Sequence, residues 1–180
     1  EGELLQLTLL GRTDVSEEQY FDVIARKTAF LFSACCEIGA LMGGATPTRQ
    51  KMLRDYGMNL GVAFQLIDDL LDFTSSAEVL GKPSGADLIE GKVSLPLIFL
   101  LEREPEWRAP VQTVISEGAY QSIKRDELLA ALNECGALQY TRDRAVEYAA
   151  AAGAALDELP DSQYVEVLRS IPSYIVERDR

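Results

Sequence analysis

The strongest constraint on the fold is a run of apolar residues at helical spacing between Met52 and Leu71. An α-helix turns by about 100° per residue, so residues three or four positions apart lie on one face. A second stripe of the same helix carries small or polar residues, which are Gly61, Gln65, Asp68 and Asp72, with Asp69 beside them. The pattern therefore predicts a long helix with one packed face and one dense row of hydrogen-bond acceptors.

The three carboxylates near the end of this helix, Asp68, Asp69 and Asp72, are close enough to repel one another. Such groups raise each other's pKa unless a cation neutralises them. Mg²⁺ suits the role, because it takes oxygen ligands and typically combines one or two protein carboxylates with waters and phosphate oxygens. The residues thus predict a magnesium site at Asp68, Asp69 and Asp72, completed by a diphosphate. A solvated acidic helix face is the alternative interpretation, but the downstream Lys82 and Lys92 favour the metal site, since lysines hold phosphate as point charges.

Composition and charge exclude several classes of function. With 180 residues, of which 47% are hydrophobic, the chain can form one sizeable core, and we expect a single all-α domain over residues 1–180. The formal net charge of −12 argues against nucleic-acid binding, which needs a basic surface. The sequence contains no histidine, so Ser-His-Asp, Cys-His and histidine-zinc chemistry are excluded within it.

The cysteines and the apolar runs indicate the compartment. Cys35, Cys36 and Cys135 show no metal-like spacing, and their odd number favours reduced, buried thiols and a cytoplasmic location. The longest apolar run, residues 95–101, is too short to span a bilayer, so we expect a soluble protein with no integral membrane segment. The residues that follow Glu1 have the pattern of the interior of a helix. For this reason we expect a chain truncated at its N-terminus.

Capping signals predict where the helices begin. Ser16 followed by Gln19 is a capping box for a helix that runs to about Met42. Thr46 and Pro47 predict the start of the acidic helix, which we expect to end near residue 73. Residues 74–93 read as a long ordered loop with one short turn at 77–80. Further helices are expected over residues 94–104, 109–117, 122–135, 137–159 and 161–177. No convincing β-alternation appears, so the prediction is an all-α architecture of roughly eight helices.

One spaced set of residues runs through the end of the acidic helix and the loop after it, namely Phe64-Gln65, Asp68-Asp69, Asp72, Gly81-Lys82, Asp87, Gly91-Lys92 and Leu95-Pro96. With this set the chain closely resembles the trans-polyprenyl diphosphate synthases and carries that family's second aspartate-rich motif. Upstream, Arg26-Lys27-Thr28-Ala29 matches the family's Lys-Thr segment. Residues 2–7 look like a helix of the longer-chain, octaprenyl-type members, and residues 177–180 look like a family C-terminus. The resemblance covers nearly the whole sequence.

This resemblance implies a fold and a reaction. The fold is an all-α helical bundle of the isoprenoid synthase type, here lacking its N-terminal helices, with two aspartate-rich helices facing each other across a deep cavity. In the family, Mg²⁺ holds an allylic prenyl diphosphate between these helices. Loss of the diphosphate leaves an allylic cation, the double bond of isopentenyl diphosphate attacks it, and proton removal completes the longer chain. A homodimer is expected on the same basis.

The resemblance also implies a role for each residue of the motif. Asp68 is expected to bind Mg²⁺ directly, with Asp69 and Asp72 as further ligands or as acceptors for metal-bound water. The catalytic set comprises Lys27, Thr28, Gln65, Asp68 and Lys82, and the substrate-binding set comprises Lys27, Thr28, Gln65, Lys82 and Lys92. Asp87 is expected to fix the lysines or a metal-bound water. Taken singly, each lysine could be an ordinary surface charge and Thr28 a core residue, but their joint spacing favours function.

One part of the family pattern has no counterpart in these residues. The first aspartate-rich motif and the basic site for isopentenyl diphosphate should lie before Glu1, so we expect this chain alone to be inactive. A non-catalytic subunit of a heteromeric prenyl synthase is the main alternative, although such a subunit has no need of the acids and lysines. A class I terpene cyclase is a further alternative, but it would more often show an Asn/Ser/Glu-type second motif. A generic helical domain with an acidic face is the remaining alternative.

Overall fold

The computed structural model describes residues 1–75 and 85–178, and in these ranges the regular structure is helical, without a strand. The helices are α1 (Gly2–Leu9), α2 (Glu17–Ile24), α3 (Phe30–Met42), α4 (Pro47–Thr74), α5 (Ala86–Ile89), α6 (Leu95–Arg103), α7 (Arg108–Glu117), α8 (Arg125–Glu134), α9 (Ala137–Ala154) and α10 (Gln163–Val176). A π-helical segment, Ala25–Ala29, joins α2 to α3, and a 3₁₀ turn, Pro105–Trp107, precedes α7. The prediction of an all-α protein is confirmed.

The predicted capping box forms at the start of α2. The backbone N–H of Ser16 donates to Oε1 of Gln19 at 3.0 Å, and the N–H of Gln19 donates to Oγ of Ser16 at 3.1 Å. These reciprocal bonds satisfy donors that the first helical turn leaves without a partner. Helical structure then continues to Met42 as predicted, but the π-helical segment within it was not predicted.

Most of the other helix ends lie within three residues of their predicted positions, but α9 ends at Ala154 and not at the predicted residue 159. Helix α4 begins at Pro47 and ends at Thr74, and Oγ1 of Thr46 accepts a long hydrogen bond of 3.4 Å from the first turn. Helix α10 starts after Ser162, whose side chain accepts from the N–H of Val165. Helix α5 was not predicted, because four residues are too few to show periodicity. The turn predicted at residues 77–80 lies outside the described residues.

The chain divides into two compact units, each built from separate stretches of sequence. The first unit comprises Glu1–Gly2, Ile24–Ile67 and Asp143–Arg180, and the second comprises Glu3–Val23 and Asp68–Arg142. Helices α4 and α9 contribute residues to both units. The single domain expected over residues 1–180 therefore stays a prediction.

Close backbone packing defines the first unit. A Cβ atom at Gly61 would lie 2.6 Å from Cα of Ala29, and one at Gly57 would lie 2.5 Å from the carbonyl oxygen of Phe32. Glycine is thus required at both positions for α4 to approach the π-helical segment and α3 so closely. Farther along, the hydroxyl of the buried Tyr56 donates to the carbonyl of Leu168 at 2.9 Å, which ties α4 to α10.

The second unit has an aliphatic core centred on α6. Its fully or nearly fully buried side chains include Leu70, Leu88, Leu95, Leu97, Ile98, Leu100, Leu101, Val111, Val114, Leu128 and Leu132. A helix that is apolar on most sides must be surrounded by other elements, and this explains the long apolar run at residues 95–101. Among the described residues, no helix is both long and apolar enough to cross a membrane.

Helix α3 is more exposed than its apolar sequence suggests. Five of its large apolar side chains are exposed, namely Phe30, Leu31, Ile38, Leu41 and Met42. All three cysteines are free, but Cys35 is exposed and the other two are partly buried. The prediction of buried thiols was therefore wrong for Cys35. The physical reason is its place on the helix, one turn from both Leu31 and Ile38 on the same exposed face.

Candidate functional site

In the first unit, the structure brings together Thr28 and Gln65, two predicted site residues that are distant in sequence. Lys27 and Thr28 lie within the π-helical segment, a rare type of turn that often occurs at functional sites. The hydroxyl of Thr28 donates to Oε1 of Gln65 at 2.9 Å. This bond fixes the orientation of both side chains, and it joins the Lys-Thr segment to the part of α4 that lies in the same unit.

Gly2 explains why the Lys-Thr segment can pack against the start of α1. Gly2 is buried, and a Cβ atom at this position would overlap the backbone of Lys27. Only glycine allows this approach. The sequence indicated that residues 2–7 resemble a helix of the family. It did not indicate that Gly2 contacts the backbone of Lys27, a predicted catalytic residue. A contact between backbones leaves no periodic signal in a single sequence.

In the second unit, the three acids of α4 occupy different environments. Asp68 is exposed, whereas Asp69 is 6% exposed and Asp72 is 1% exposed. The hydroxyl of Tyr20 donates to Oδ2 of Asp69 at 2.7 Å, and the backbone N–H of Asp87 donates to Oδ2 of Asp72 at 3.2 Å. Hydrogen bonds of this kind offset the cost of burying a carboxylate. Asp68 is thus the acid of this motif most accessible to a ligand from solvent.

Tyr20 was missed at the level of sequence. Its side chain is buried, and burial together with the negative charges of Asp69, Asp87 and Glu17 raises its pKa well above the usual value. The phenol therefore keeps its proton and acts as a hydrogen-bond donor to Asp69. Nothing in the sequence indicated this role, because the two residues are separated by 49 positions.

Four hydrogen bonds hold the end of α4 and the start of α5. The N–H of Gly85 donates to the carbonyl of Asp72 at 2.6 Å, the hydroxyl of Tyr120 donates to the carbonyl of Gly85 at 3.1 Å, and Arg125 donates to the carbonyl of Phe73 at 2.6 Å. Gly85 has φ of 78°, and a Cβ atom there would lie 2.5 Å from Oη of Tyr120. These bonds, with the one between Asp72 and Asp87, position α5 against the end of α4.

Lys92 is held by two carboxylates. Its Nζ lies 3.1 Å from Oδ1 of Asp87 and 2.6 Å from Oε2 of Glu90. Burial alone would lower the pKa of Lys92, but hydrogen bonds and charge from Glu90 and Asp87 outweigh it, so the pKa is raised. The ammonium group therefore stays charged and is fixed in place. Lys82, the other lysine predicted to bind diphosphate, lies outside the described residues.

The acids of α4 fit the chemistry of Mg²⁺ in part. No group of three or more His, Cys, Asp or Glu side chains within residues 1–75 and 85–178 is arranged to hold a metal ion by itself. Magnesium, however, commonly uses only one or two carboxylates and takes its other oxygens from water and phosphate. The exposed Asp68 can serve as such a ligand. Asp69 and Asp72 each have at least one oxygen engaged by a protein donor.

Comparison with known proteins places the chain in a family. The family model described as polyprenyl synthetase matches residues 1–132. The chain belongs to the polyprenyl synthetase family. Across 181 aligned residues it is 45% identical to octaprenyl diphosphate synthase of Escherichia coli (strain K12), covering 100% of this chain and 56% of that protein. This chain thus spans about half the length of that polyprenyl synthetase.

Two solved polyprenyl synthetase structures share the fold. A decaprenyl diphosphate synthase from Rhodobacter capsulatus matches with a TM-score of 0.89 and 39% identity, over 99% of this chain and 55% of that one. A polyprenyl synthase from Caulobacter crescentus CB15, complexed with calcium and isoprenyl diphosphate, matches with a TM-score of 0.91 and 37% identity, over 99% and 55%. The helical isoprenoid synthase fold is confirmed, while the roles of the individual site residues stay predictions.

Proposed function

We propose that these residues belong to a Mg²⁺-dependent prenyltransferase that condenses an allylic prenyl diphosphate with isopentenyl diphosphate into a trans-polyprenyl diphosphate. The observation that carries the proposal is the acidic end of α4, where the exposed Asp68 adjoins two buried carboxylates held by protein donors. The polyprenyl synthase from Caulobacter crescentus, which was solved with calcium and isoprenyl diphosphate, supports a site for a divalent cation and a diphosphate.

The three acids take different parts in this proposal. Asp68 binds the metal directly, because its carboxylate is exposed. Asp69 and Asp72 complete the acidic face as further ligands or as acceptors for metal-bound water. Gln65 orients this face from one turn earlier on α4. When bound, Mg²⁺ supplies Lewis-acid stabilisation of the negative charge that develops on the departing diphosphate.

The diphosphate contacts are assigned residue by residue. Lys27, Thr28 and Gln65 are proposed to bind the allylic diphosphate, and the bond between Thr28 and Gln65 supports a shared role for these two side chains. Lys92 is proposed to bind it with an ammonium group that Asp87 keeps in position. Lys82 is proposed for the same role from its place in the motif. Fixed charges of this kind stabilise developing negative charge without having to reorganise during the reaction.

The remaining features of the proposal concern the protein as a whole. These 180 residues contain one aspartate-rich motif, and we propose that alone they do not elongate a prenyl chain. The full product of the gene that contains these residues, the gene-encoded protein, is proposed to be a cytoplasmic homodimer. Light scattering on the purified protein tests the dimer, and a mass equal to one chain at micromolar concentration would contradict it.

The decisive experiment measures Mg²⁺-dependent elongation of farnesyl diphosphate with radiolabelled isopentenyl diphosphate. It compares this chain, the gene-encoded protein, and the gene-encoded protein with Asp68→Ala or Asp157→Ala. We expect activity only in the gene-encoded protein, with a loss of about 10²- to 10³-fold for Asp68→Ala, the usual cost of removing one group that stabilises developing charge. Asp157 is exposed and outside the motif, so its variant should behave like wild type.

Two results would overturn the proposal. An inert gene-encoded protein, or an Asp68→Ala variant with undiminished turnover, would show that α4 does not carry the chemistry. The non-catalytic subunit of a heteromeric synthase would then be the better interpretation, and a search for a catalytic partner would follow.

A further inference from the structure

We propose that Tyr20 is a positioning residue for the metal-diphosphate site, which it orients by holding the carboxylate of Asp69 on the buried side of α4. The inference rests on the proposed function and adds a residue to it. Tyr20 lies in α2, outside the residues that carry the family resemblance in the sequence, and its hydroxyl is 2.7 Å from Oδ2 of Asp69. Its action is indirect, because its hydroxyl contacts Asp69 and acts through that carboxylate.

The first argument is the cost of burying Asp69. An ionised carboxylate that is 6% exposed is strongly disfavoured unless donors replace the water that it has lost. Tyr20 supplies one such donor from a different helix. Without the hydroxyl, the Asp69 carboxylate would regain hydration by turning toward solvent, which would change the last turns of α4. Because Asp68 is the adjacent residue, this change would also displace the carboxylate that is proposed to bind the metal.

The second argument is that Tyr20 is itself held firmly. Its helix starts with the capping box formed by Ser16 and Gln19. Within the first turn, Glu17 lies 3.0 and 2.9 Å, through its two carboxylate oxygens, from the hydroxyl of Tyr140. The ring of Tyr140 stacks on Phe99 at a centroid distance of 4.6 Å. A donor anchored in this way can define the position of its acceptor.

The third argument comes from a comparison within the chain. Buried tyrosine hydroxyls usually find a partner, so a hydrogen bond alone does not indicate function. Tyr56 is such a case, since it is 1% exposed and donates to the backbone carbonyl of Leu168 at 2.9 Å. Tyr20 instead donates to a side chain of the acidic motif, and Asp87 and Glu17 add negative charge around it. Tyr56 thus provides a matched control for loss of a buried hydroxyl.

The experiment compares Tyr20→Phe with Tyr56→Phe in the gene-encoded protein. Calorimetric titration with magnesium diphosphate measures binding, and elongation assays measure kcat and the dependence of the rate on Mg²⁺. Thermal denaturation confirms that each variant is folded at the assay temperature. We expect Tyr20→Phe to bind magnesium diphosphate about 10-fold more weakly or worse, the usual effect of removing a group that orients a ligand. The apparent Mg²⁺ affinity in turnover should fall in parallel, and Tyr56→Phe should match wild type in both.

A second variant keeps the test decisive if Tyr20→Phe does not fold. Asp69→Asn removes the buried charge that Tyr20 pairs with, so a Tyr20→Phe/Asp69→Asn double variant avoids a buried carboxylate without its donor. If Tyr20 acts through Asp69, adding Tyr20→Phe to Asp69→Asn should cost little further affinity for magnesium diphosphate. A further loss of about 10-fold in the double variant would overturn the inference. A folded Tyr20→Phe variant with wild-type affinity would also overturn it, as would an equal defect in Tyr56→Phe.

Failure of the proposed function has a different signature. In that case wild type itself would neither bind magnesium diphosphate nor elongate a prenyl chain, and the inference about Tyr20 would fall with it. If wild type binds and turns over while Tyr20→Phe is unaffected, only the inference about Tyr20 is wrong.

Discussion

The first part of α4 packs backbone against backbone, whereas its last two turns pack carboxylates against hydrogen-bond donors. Gly57 and Gly61 have no side chains, which lets α4 lie against Phe32 and Ala29. Asp69 and Asp72 are buried too, but their partners are the hydroxyl of Tyr20 and the N–H of Asp87. One continuous helix therefore uses two means of attachment.

The difference separates two tasks. Close packing of apolar surface is strong but non-directional, so it holds a helix without selecting the orientation of polar groups. Hydrogen bonds to a buried carboxylate are directional, and each such carboxylate costs stability if its donor is lost. We infer that the glycine-rich part of α4 sets where the helix lies, while the acidic part sets how its functional side chains point.

The largest effect on stability is expected where the packing is tightest. Gly61→Ala places a Cβ atom 2.6 Å from Cα of Ala29, and overpacking of this kind costs about 1–3 kcal/mol, here near the upper end because the obstacle is backbone. Urea denaturation of this chain measures the change.

Gly39→Ala and Gly153→Ala are the matched controls for Gly61→Ala. A Cβ atom at either helical position meets no atom within 4 Å, so each change should stabilise the chain by about 0.4–1 kcal/mol. A Gly61→Ala variant as stable as these two would show that α4 can shift away from the π-helical segment at little cost. The contrast between the two parts of α4 would then be lost.

The next effect concerns the acidic part. Asp72→Ala removes the acceptor of the Asp87 N–H, and loss of one partner of a buried hydrogen bond costs about 1–3 kcal/mol. Hydrogen exchange of the α5 amides measures the local consequence, and we expect faster exchange at Asp87 and its neighbours. Glu158→Ala, at an exposed position, serves as the control. Unchanged exchange in α5 would mean that the two bonds of Gly85, to the carbonyl of Asp72 and the hydroxyl of Tyr120, suffice to hold this segment.

The smallest effect is expected at the helix that carries Tyr20. Ser16→Ala removes one half of the capping box, which should lower the free energy of unfolding by about 1 kcal/mol. Ser170→Ala, at an exposed position inside α10, should be neutral or slightly stabilising, because alanine is the better helix former by up to about 0.7 kcal/mol. Equal changes in the two variants would show that α2 does not depend on its cap for placing Tyr20.

Local sequence signals located much of the fold correctly. The capping box at Ser16 and the start of α4 at Pro47 were predicted, because both depend on residues within one helical turn. The acids of α4 were found for the same reason. By contrast, the exposure of Cys35 was predicted wrongly, since the apolar character of α3 suggests burial whether or not a neighbouring element covers it.

The amino-acid sequence by itself determined the helical class, the acidic stripe on α4 and the resemblance to prenyl synthases, because these depend on residue type and on spacing along one helix. Only the tertiary structure decided that Asp68 is exposed while Asp69 and Asp72 are buried, and that Thr28 meets Gln65. It also decided that Tyr20 holds Asp69. These outcomes depend on contacts between residues far apart in sequence, and helical periodicity specifies a face of a helix but not the partner that packs against it.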